Sequence, residues 1–234
     1  MITMRPAAER GHANHGWLDA NFTFSFANYY DPRWMGFRAL RVINDDIVAP
    51  GRGFGQHPHD NMEILTYMIS GAFAHKDSTG GEGIIVPGEL QHMSAGTGVT
   101  HSEFNASETD SSHSLQIWIQ PNQRNVKPVY HQRKFSVAEQ PNRFHLLASG
   151  GQTPGRDNSF PIYADADLFA AVIEPGQTVE HTFGKPHGWL HVVKGEVTLN
   201  GAKLQGGDGI AFTNEQKLSL TTATGGEVLL FELD

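Results

Sequence analysis

The chain reads as a succession of short segments in which apolar and polar residues alternate with a period of two. Successive side chains on a strand point to opposite faces, so this period marks strands with one face buried. Phe22, Phe24 and Phe26 alternate and predict an early strand with its rings on one face. These rings serve either as core or, for Phe24 and Phe26, as the wall of a pocket for a flat aromatic ligand. Residues 38–43 (RALRVI) predict the next strand, closed by Asn44-Asp45-Asp46. Further strands are expected over 63–69, 71–78, 83–87, 89–94 and 99–104. Residues 114–120 (SLQIWIQ) set Leu115, Ile117 and Ile119 against Gln116 and Trp118. Gln116 then points into a barrel if the aliphatic residues face outward, and a buried glutamine needs partners.

Residues 121–140 are polar, with prolines at 121 and 128, and predict a linker. A second half begins at 143–148, passes a loop over 150–158, and resumes the strand cadence from Phe160. Asn200-Gly201 and the glycines at 206–209 signal hairpins. A 3.6-residue period is nearly absent, so little helix is expected. The halves look like a degenerate repeat: residues 190–195 (LHVVKG) stand where 66–71 (TYMISG) stand in the first half, and Gly207-Asp208-Gly209 echoes Pro87-Gly88. The expected fold is all-β, with two tandem antiparallel β-barrel or β-sandwich domains over 1–130 and 131–234.

Composition narrows the function. The 234 residues include 26 Gly and 12 Pro, in keeping with many turns, and no Cys. Disulfides, thiolate metal ligands and cysteine nucleophiles are thereby excluded. The formal net charge of −8, without a long basic run, argues against nucleic acid as a partner. Residues 1–10 have no apolar core of signal-peptide length, and no apolar run long enough to span a membrane follows. A soluble cytoplasmic monomer is expected.

The candidate chemistry lies in two pairs, His57 with His59 and His101 with Glu103. Each pair is spaced i, i+2, so on a strand both members face one way. Pairs this short arise by chance; their surroundings carry the argument. Gly51, Gly53 and Gly55 lead into the first pair, and Gly96 and Gly98 into the second. Pro58 cannot donate to a ladder, which implies a strand start, edge or bulge. If the two strands lie side by side, three imidazoles and one carboxylate converge in a set that suits one divalent transition metal ion with open positions. Iron, manganese, cobalt, nickel, copper and zinc all accept such donors. His75 and Asp77 share the i, i+2 spacing, with His75 either behind the ligands, at the pocket rim or facing solvent. His181, His187 and His191 in the second half are scattered, so a single site in the first half is expected.

The spacing Gly51-x5-His57-x-His59-x3-Glu63, followed by Gly71, resembles the first cupin motif. Pro87-Gly88 and His101-x3-Asn105 resemble a stretched second one. Within cupins the chain resembles the pirin family, especially its bacterial quercetin 2,3-dioxygenase-like members, in RGHANHGWLDANFTFSFANYYDP, MGFRALRVINDD, GFGQHPHDNMEILTYMISG, HKDS and PGELQHMSAGTGVTHSEFN. The resemblance is dense from Arg10 to Trp118 and thin afterwards. It implies a bicupin whose metal ligands are His57, His59, His101 and Glu103. Glu63, a ligand in many other cupins, is implied to lie outside that set, in a hydrogen bond or salt bridge. Iron(II) is the first ion implied. The implied reaction is dioxygen-dependent cleavage of a flavonol with release of carbon monoxide, Glu103 accepting the hydroxyl proton. Animal pirins are associated with transcription-factor partners. A metal- or redox-sensing interaction module, or an oxygenase of another small aromatic, is therefore the competing expectation.

Overall fold

The computed structural model describes residues 1–151 and 156–234. The loop expected over 150–158 thus falls partly outside the described residues. Strands in the first half are β1 (Ile2–Arg5), β2 (Gly11–Asn14), β3 (Leu18–Phe22), β4 (Leu40–Val48), β5 (Gly53–His59), β6 (Glu63–Ser70), β7 (Phe73–Asp77), β8 (Glu82–Ile85), β9 (Glu89–Ser94), β10 (Val99–Asn105), β11 (Ser112–Ile119) and β12 (Val129–Lys134). The second half has β13 (His145–Ser149), β14 (Phe160–Pro161), β15 (Ala166–Ile173), β16 (Thr178–Thr182), β17 (His187–Leu199), β18 (Ala202–Gln205), β19 (Gly209–Thr213), β20 (Lys217–Thr221) and β21 (Gly226–Leu233). The helical segments among the described residues are two single 3-10 turns, Ala7–Glu9 and Arg156–Asn158. Among the described residues no helix is long and apolar enough to cross a membrane.

The first barrel is built from two sheets. A seven-stranded sheet runs β12-β9-β6-β11-β4-β3-β2, and a four-stranded sheet runs β5-β10-β7-β8. The ten-stranded sheet of the second half has β1-β19-β17-β21-β15-β13-β14 as its main path. Its hairpin at Asn200-Gly201 has φ of 50° and 82°, the left-handed pair that a tight two-residue turn demands.

The two barrels are filled differently. Leu190, Val192, Val197, Leu204, Leu218, Leu220, Val228 and Leu230 pack the second with aliphatic side chains. The large sheet of the first instead turns its apolar face outward. Leu115, Ile117 and Ile119, with Leu65 and Tyr67, join Leu168, Trp189, Leu229 and Phe231 in one core shared by both halves. The opposite face, toward the barrel interior, mixes apolar residues such as Ile64, Met68 and Met93 with buried polar ones such as Asn44, Asp46 and Thr66.

Four expectations are corrected here. The strand carrying Phe22 ends at that residue, so the three rings do not share a face. Phe22 and Phe26 pack in one cluster, while Phe24 turns to the shared core, 4.9 Å from Trp189. Phe24 is therefore core and not a pocket wall. Asn44-Asp45-Asp46 does not close a strand, because β4 runs through it: Asn44 and Asp46 are buried facing inward and Asp45 faces out. The expected linker contains β12, which pairs antiparallel with β9, so the first sheet extends beyond residue 130. Finally, β1 lies against β19, with Ile2 opposite Phe212 and Arg5 opposite Gly209, and so belongs to the second half's sheet.

Asp45 anchors this first segment. Its carboxylate accepts hydrogen bonds from Arg10 Nη1 at 2.9 Å and His113 Nε2 at 2.5 Å. Burial alone would raise its pKa; the bond from His113 and the charge of Arg10 outweigh it and hold the group down at about 2. A depressed folded-state pKa contributes stability above the unfolded value, lost as pH falls through the folded one. Asp45→Asn is expected to cost on the order of 2 kcal/mol at pH 7. The difference should shrink between about pH 4 and pH 2, as read by urea unfolding of both proteins across that range.

Candidate metal centre

Gly53 opens β5 where no other residue fits: a Cβ there would sit 2.2 Å from the carbonyl oxygen of Glu103. This close approach seats β5 on β10, with His57 directly opposite His101. Between His101 and Glu103 the register slips, placing Phe54 opposite Glu103, so β5 carries a bulge between its glycines and its histidines. Pro58 is accommodated because β5 is an edge strand. On β10, Val99, His101, Glu103 and Asn105 are buried and the residues between them are less so, which is the period of two made visible.

The ligand atoms of His57, His59 and His101 all lie within 4.8 Å of one another, as do those of His75, His101 and Glu103. His101 thus belongs to both groups, and Glu103 meets the imidazole triplet through it. The triplet fits a transition ion. Nε2 of His57 and Nε2 of His101 face each other 3.0 Å apart. Two imidazole nitrogens held side by side about 2.1 Å from one ion would lie about 3 Å apart. Nε2 of His59 is buried with no hydrogen-bond partner. Nδ1 of His57 donates to Gly55 O at 2.7 Å, which leaves the lone pair on Nε2. Burial, followed by the neighbouring imidazoles, pushes His101 down to about 3; burial, then His57, pushes His59 down to about 4. His59 and His101 are therefore neutral donors at physiological pH.

His75 sits behind the cluster and is not free to bind. Its Nε2 donates to Asp77 Oδ2 at 3.0 Å and its Nδ1 accepts from Gln91 Nε2 at 2.8 Å, while Tyr130 stacks on its ring. It meets His101 Nδ1 at 3.5 Å and so backs that imidazole from the far side. Glu103 accepts from Thr66 Oγ1 and from Gln116 Nε2, each at 3.3 Å, and burial pushes its carboxyl up to about 7 despite the Thr66 bond. Gln116 does point into the barrel, and its Oε1 accepts from Trp118 Nε1. A cavity of about 70 Å³ opens beside these groups, lined by Phe26, Asn44, Asp46, Phe54 and Trp118 together with His57, His59, Glu103 and Gln116. Of the two phenylalanines expected at a pocket, Phe26 is there, with Trp118 set edge-on at 5.4 Å.

Glu63 lies on the other face of its strand, with Leu65 and Tyr67, away from the cavity. It accepts from His92 Nε2 and Ser94 Oγ, both at 2.7 Å, with the pair fully buried. Glu63→Gln is expected to leave metal content unchanged and to cost about 1–3 kcal/mol, since one buried charge-assisted bond is lost. Metal analysis beside a thermal melt checks both halves of that statement. Asn44, Asp46, Phe54 and Thr66 were not singled out from sequence. No alternation marks the first two, since residues 42–48 (VINDDIV) run two apolar, three polar and two apolar.

A two-sheet barrel with convergent imidazoles in one half, and an apolar-filled partner barrel in the other, defines the class of bicupins. The pirin family model matches residues 3–119, and a model described as the quercetinase C-terminal cupin domain matches residues 146–233. The chain belongs to the pirin family. It is 48% identical over 234 residues to the quercetin 2,3-dioxygenase of Escherichia coli strain K12, covering 100% of this chain and 99% of that one. It is 39% identical to a pirin-like protein of Caulobacter vibrioides, with 99% of each chain covered. Among solved structures, the bacterial pirin YhhW from Escherichia coli in complex with nickel(II) superposes with a TM-score of 0.91 at 46% identity, covering 100% of this chain and 99% of that one.

Proposed function

We propose that this chain is a metal-dependent dioxygenase that opens the heterocyclic ring of a flavonol such as quercetin and releases carbon monoxide. The observation behind this reading is one small cavity in which convergent imidazoles and a buried carboxyl face Phe26, Phe54 and Trp118. The names of the relatives support the same chemistry. An aromatic-walled cavity favours an enzyme over an interaction module, which calls for an exposed apolar patch.

His57, His59, His101 and Glu103 would hold one divalent ion, iron(II) first, with nickel, manganese, cobalt, copper and zinc compatible with the same donors. When bound, the ion supplies positive charge that favours an ionised enol or phenol oxygen. Glu103 takes the proton of the flavonol 3-hydroxyl. Thr66 and Gln116 hold it in position for that transfer. Phe26, Phe54 and Trp118 grip the flat ring and keep water from it. One flavonol and one dioxygen become one depside and one carbon monoxide, so atoms balance without a further reductant.

An aerobic panel of flavonols with carbon-monoxide detection, run on protein of known metal content, tests this. About one carbon monoxide per flavonol consumed is expected. Glu103→Gln should lower the rate by about 100-fold or more. A metal-loaded protein that releases none from any flavonol ends the proposal.

A further inference from the structure

The cavity beside the imidazoles has two walls of different standing. On the side of β10 and β11 the polar groups bond within the protein: Glu103 with Thr66 and Gln116, and Gln116 with Trp118. On the side of β4, Asn44 and Asp46 are 4% and 5% exposed and line the same space. Their Oδ1 atoms are buried without a partner, and among the described residues neither side chain makes a hydrogen bond. Standing at i, i+2 on one strand, the two side chains point the same way. Ser114, opposite Asp46 in the register with β11, also has a buried Oγ without a partner.

A buried polar group left unpaired costs about 1–3 kcal/mol. Two of them side by side in the wall of a cavity recover that cost when a ligand brings complementary groups. Burial, followed by the charges of Asp45 and Glu103, pushes the Asp46 carboxyl up to about 8. A carboxyl there accepts from a ligand hydroxyl and, when protonated, also donates. Asn44 likewise offers both an amide donor and a carbonyl acceptor. The wall can therefore engage either a hydroxyl or a carbonyl oxygen. The cavity volume of about 70 Å³ has room for the oxygen-bearing edge of one ring, leaving the rest of a larger ligand at the mouth between Phe26, Phe54 and Trp118.

We propose that Asp46 and Asn44 are the substrate-positioning pair of this pocket, taking the second oxygen of an aromatic ligand whose first oxygen goes to the imidazole cluster. The pocket on this basis selects rings with two vicinal oxygens, such as a catechol or the 3-hydroxy-4-keto ring of a flavonol. The assignment rests on reading the site as an aromatic-substrate pocket and adds to that reading the feature by which the substrate is chosen.

The test is calorimetric titration of the metal-loaded protein, under nitrogen, with catechol and with phenol. The parent protein should prefer catechol by at least about tenfold, as a site built to pair a ligand oxygen does. Asp46→Ala and Asn44→Ala should each bring the two ligands to within about threefold, with metal content and phenol affinity unchanged. Asp46→Asn, which keeps a donor and an acceptor in place, should retain most of the preference.

Bidentate capture by the ion alone would also favour catechol, but that preference would survive in both alanine variants, and the assignment would fall. It falls equally if the parent shows no preference, or if the alanine variants fold but shed their metal. Because no turnover is involved, the outcome separates from the ring-opening reaction. A protein with an Asp46-dependent preference and no carbon monoxide keeps this assignment and loses that one. A protein that cleaves flavonols with a preference indifferent to Asp46 does the reverse.

Discussion

His101→Ala is expected to empty the metal site and abolish oxygenation while leaving both barrels folded. His101 is the imidazole common to both groups of clustered ligand atoms, and it is 1% exposed. Its removal leaves His57 and His59 on one edge strand and Glu103 on the next, with no ring between them. The backbone has no such dependence. β10 is held on one side by β5 and on the other by β7, through registers that involve no side chain. Metal per chain, measured by plasma mass spectrometry, should fall from about one to near zero, while far-ultraviolet circular dichroism stays unchanged. If the metal-free protein instead unfolds, the ion is a structural clamp of the kind found in small zinc domains, and the enzymatic reading loses its footing.

Trp189→Ala should have the largest effect on stability. Trp189 lies on β17 in the second half, fully buried, yet its ring meets Phe24 at 4.9 Å, Phe37 at 5.8 Å and Trp34 at 6.0 Å from the first. Deleting a buried tryptophan costs about 3–5 kcal/mol. Its Nε1 has no hydrogen-bond partner, so the loss of one unsatisfied donor offsets part of that. The melting temperature should drop by roughly 10 °C for a chain of this length. Metal content at low temperature should be unaffected, since Trp189 does not line the cavity. A drop of only a degree or two would mean that the halves do not depend on their shared core.

The strands that carry the ligands were legible because both reasons for them are local. The period of two sets His101 and Glu103 on one face, and the glycines before each pair signal the close approach that Gly53 makes. Leu115, Ile117 and Ile119 were legible as one face of a strand, but not as the face that meets the second half. A fragment ending near Gln140 would bare that face to water. Asn44 and Asp46 were hidden because an inward-facing polar pair inverts the rule by which a strand's buried side is recognised. The pairing of β12 with β9 was obscured by prolines at 121 and 128, which flank the strand's approach without entering it. Nothing near residues 2–5 points to β19, because long-range pairing leaves no mark on neighbouring sequence.

That last pairing bears on how the polypeptide matures on the ribosome. Ile2–Arg5 are made early, and their partner Gly209–Phe212 follows roughly 200 residues later. At about 5–20 residues per second the wait is on the order of 10–40 s. During it, Arg5 can already settle in the first half, where its Nε donates to Thr23 O, its Nη2 donates to the Tyr29 hydroxyl, and its guanidinium lies over Trp34 at 5.1 Å. The strand is thus tethered by its last residue while its backbone edge stays open. The second barrel, when it emerges, finds one of its own strands already waiting on the surface of the first.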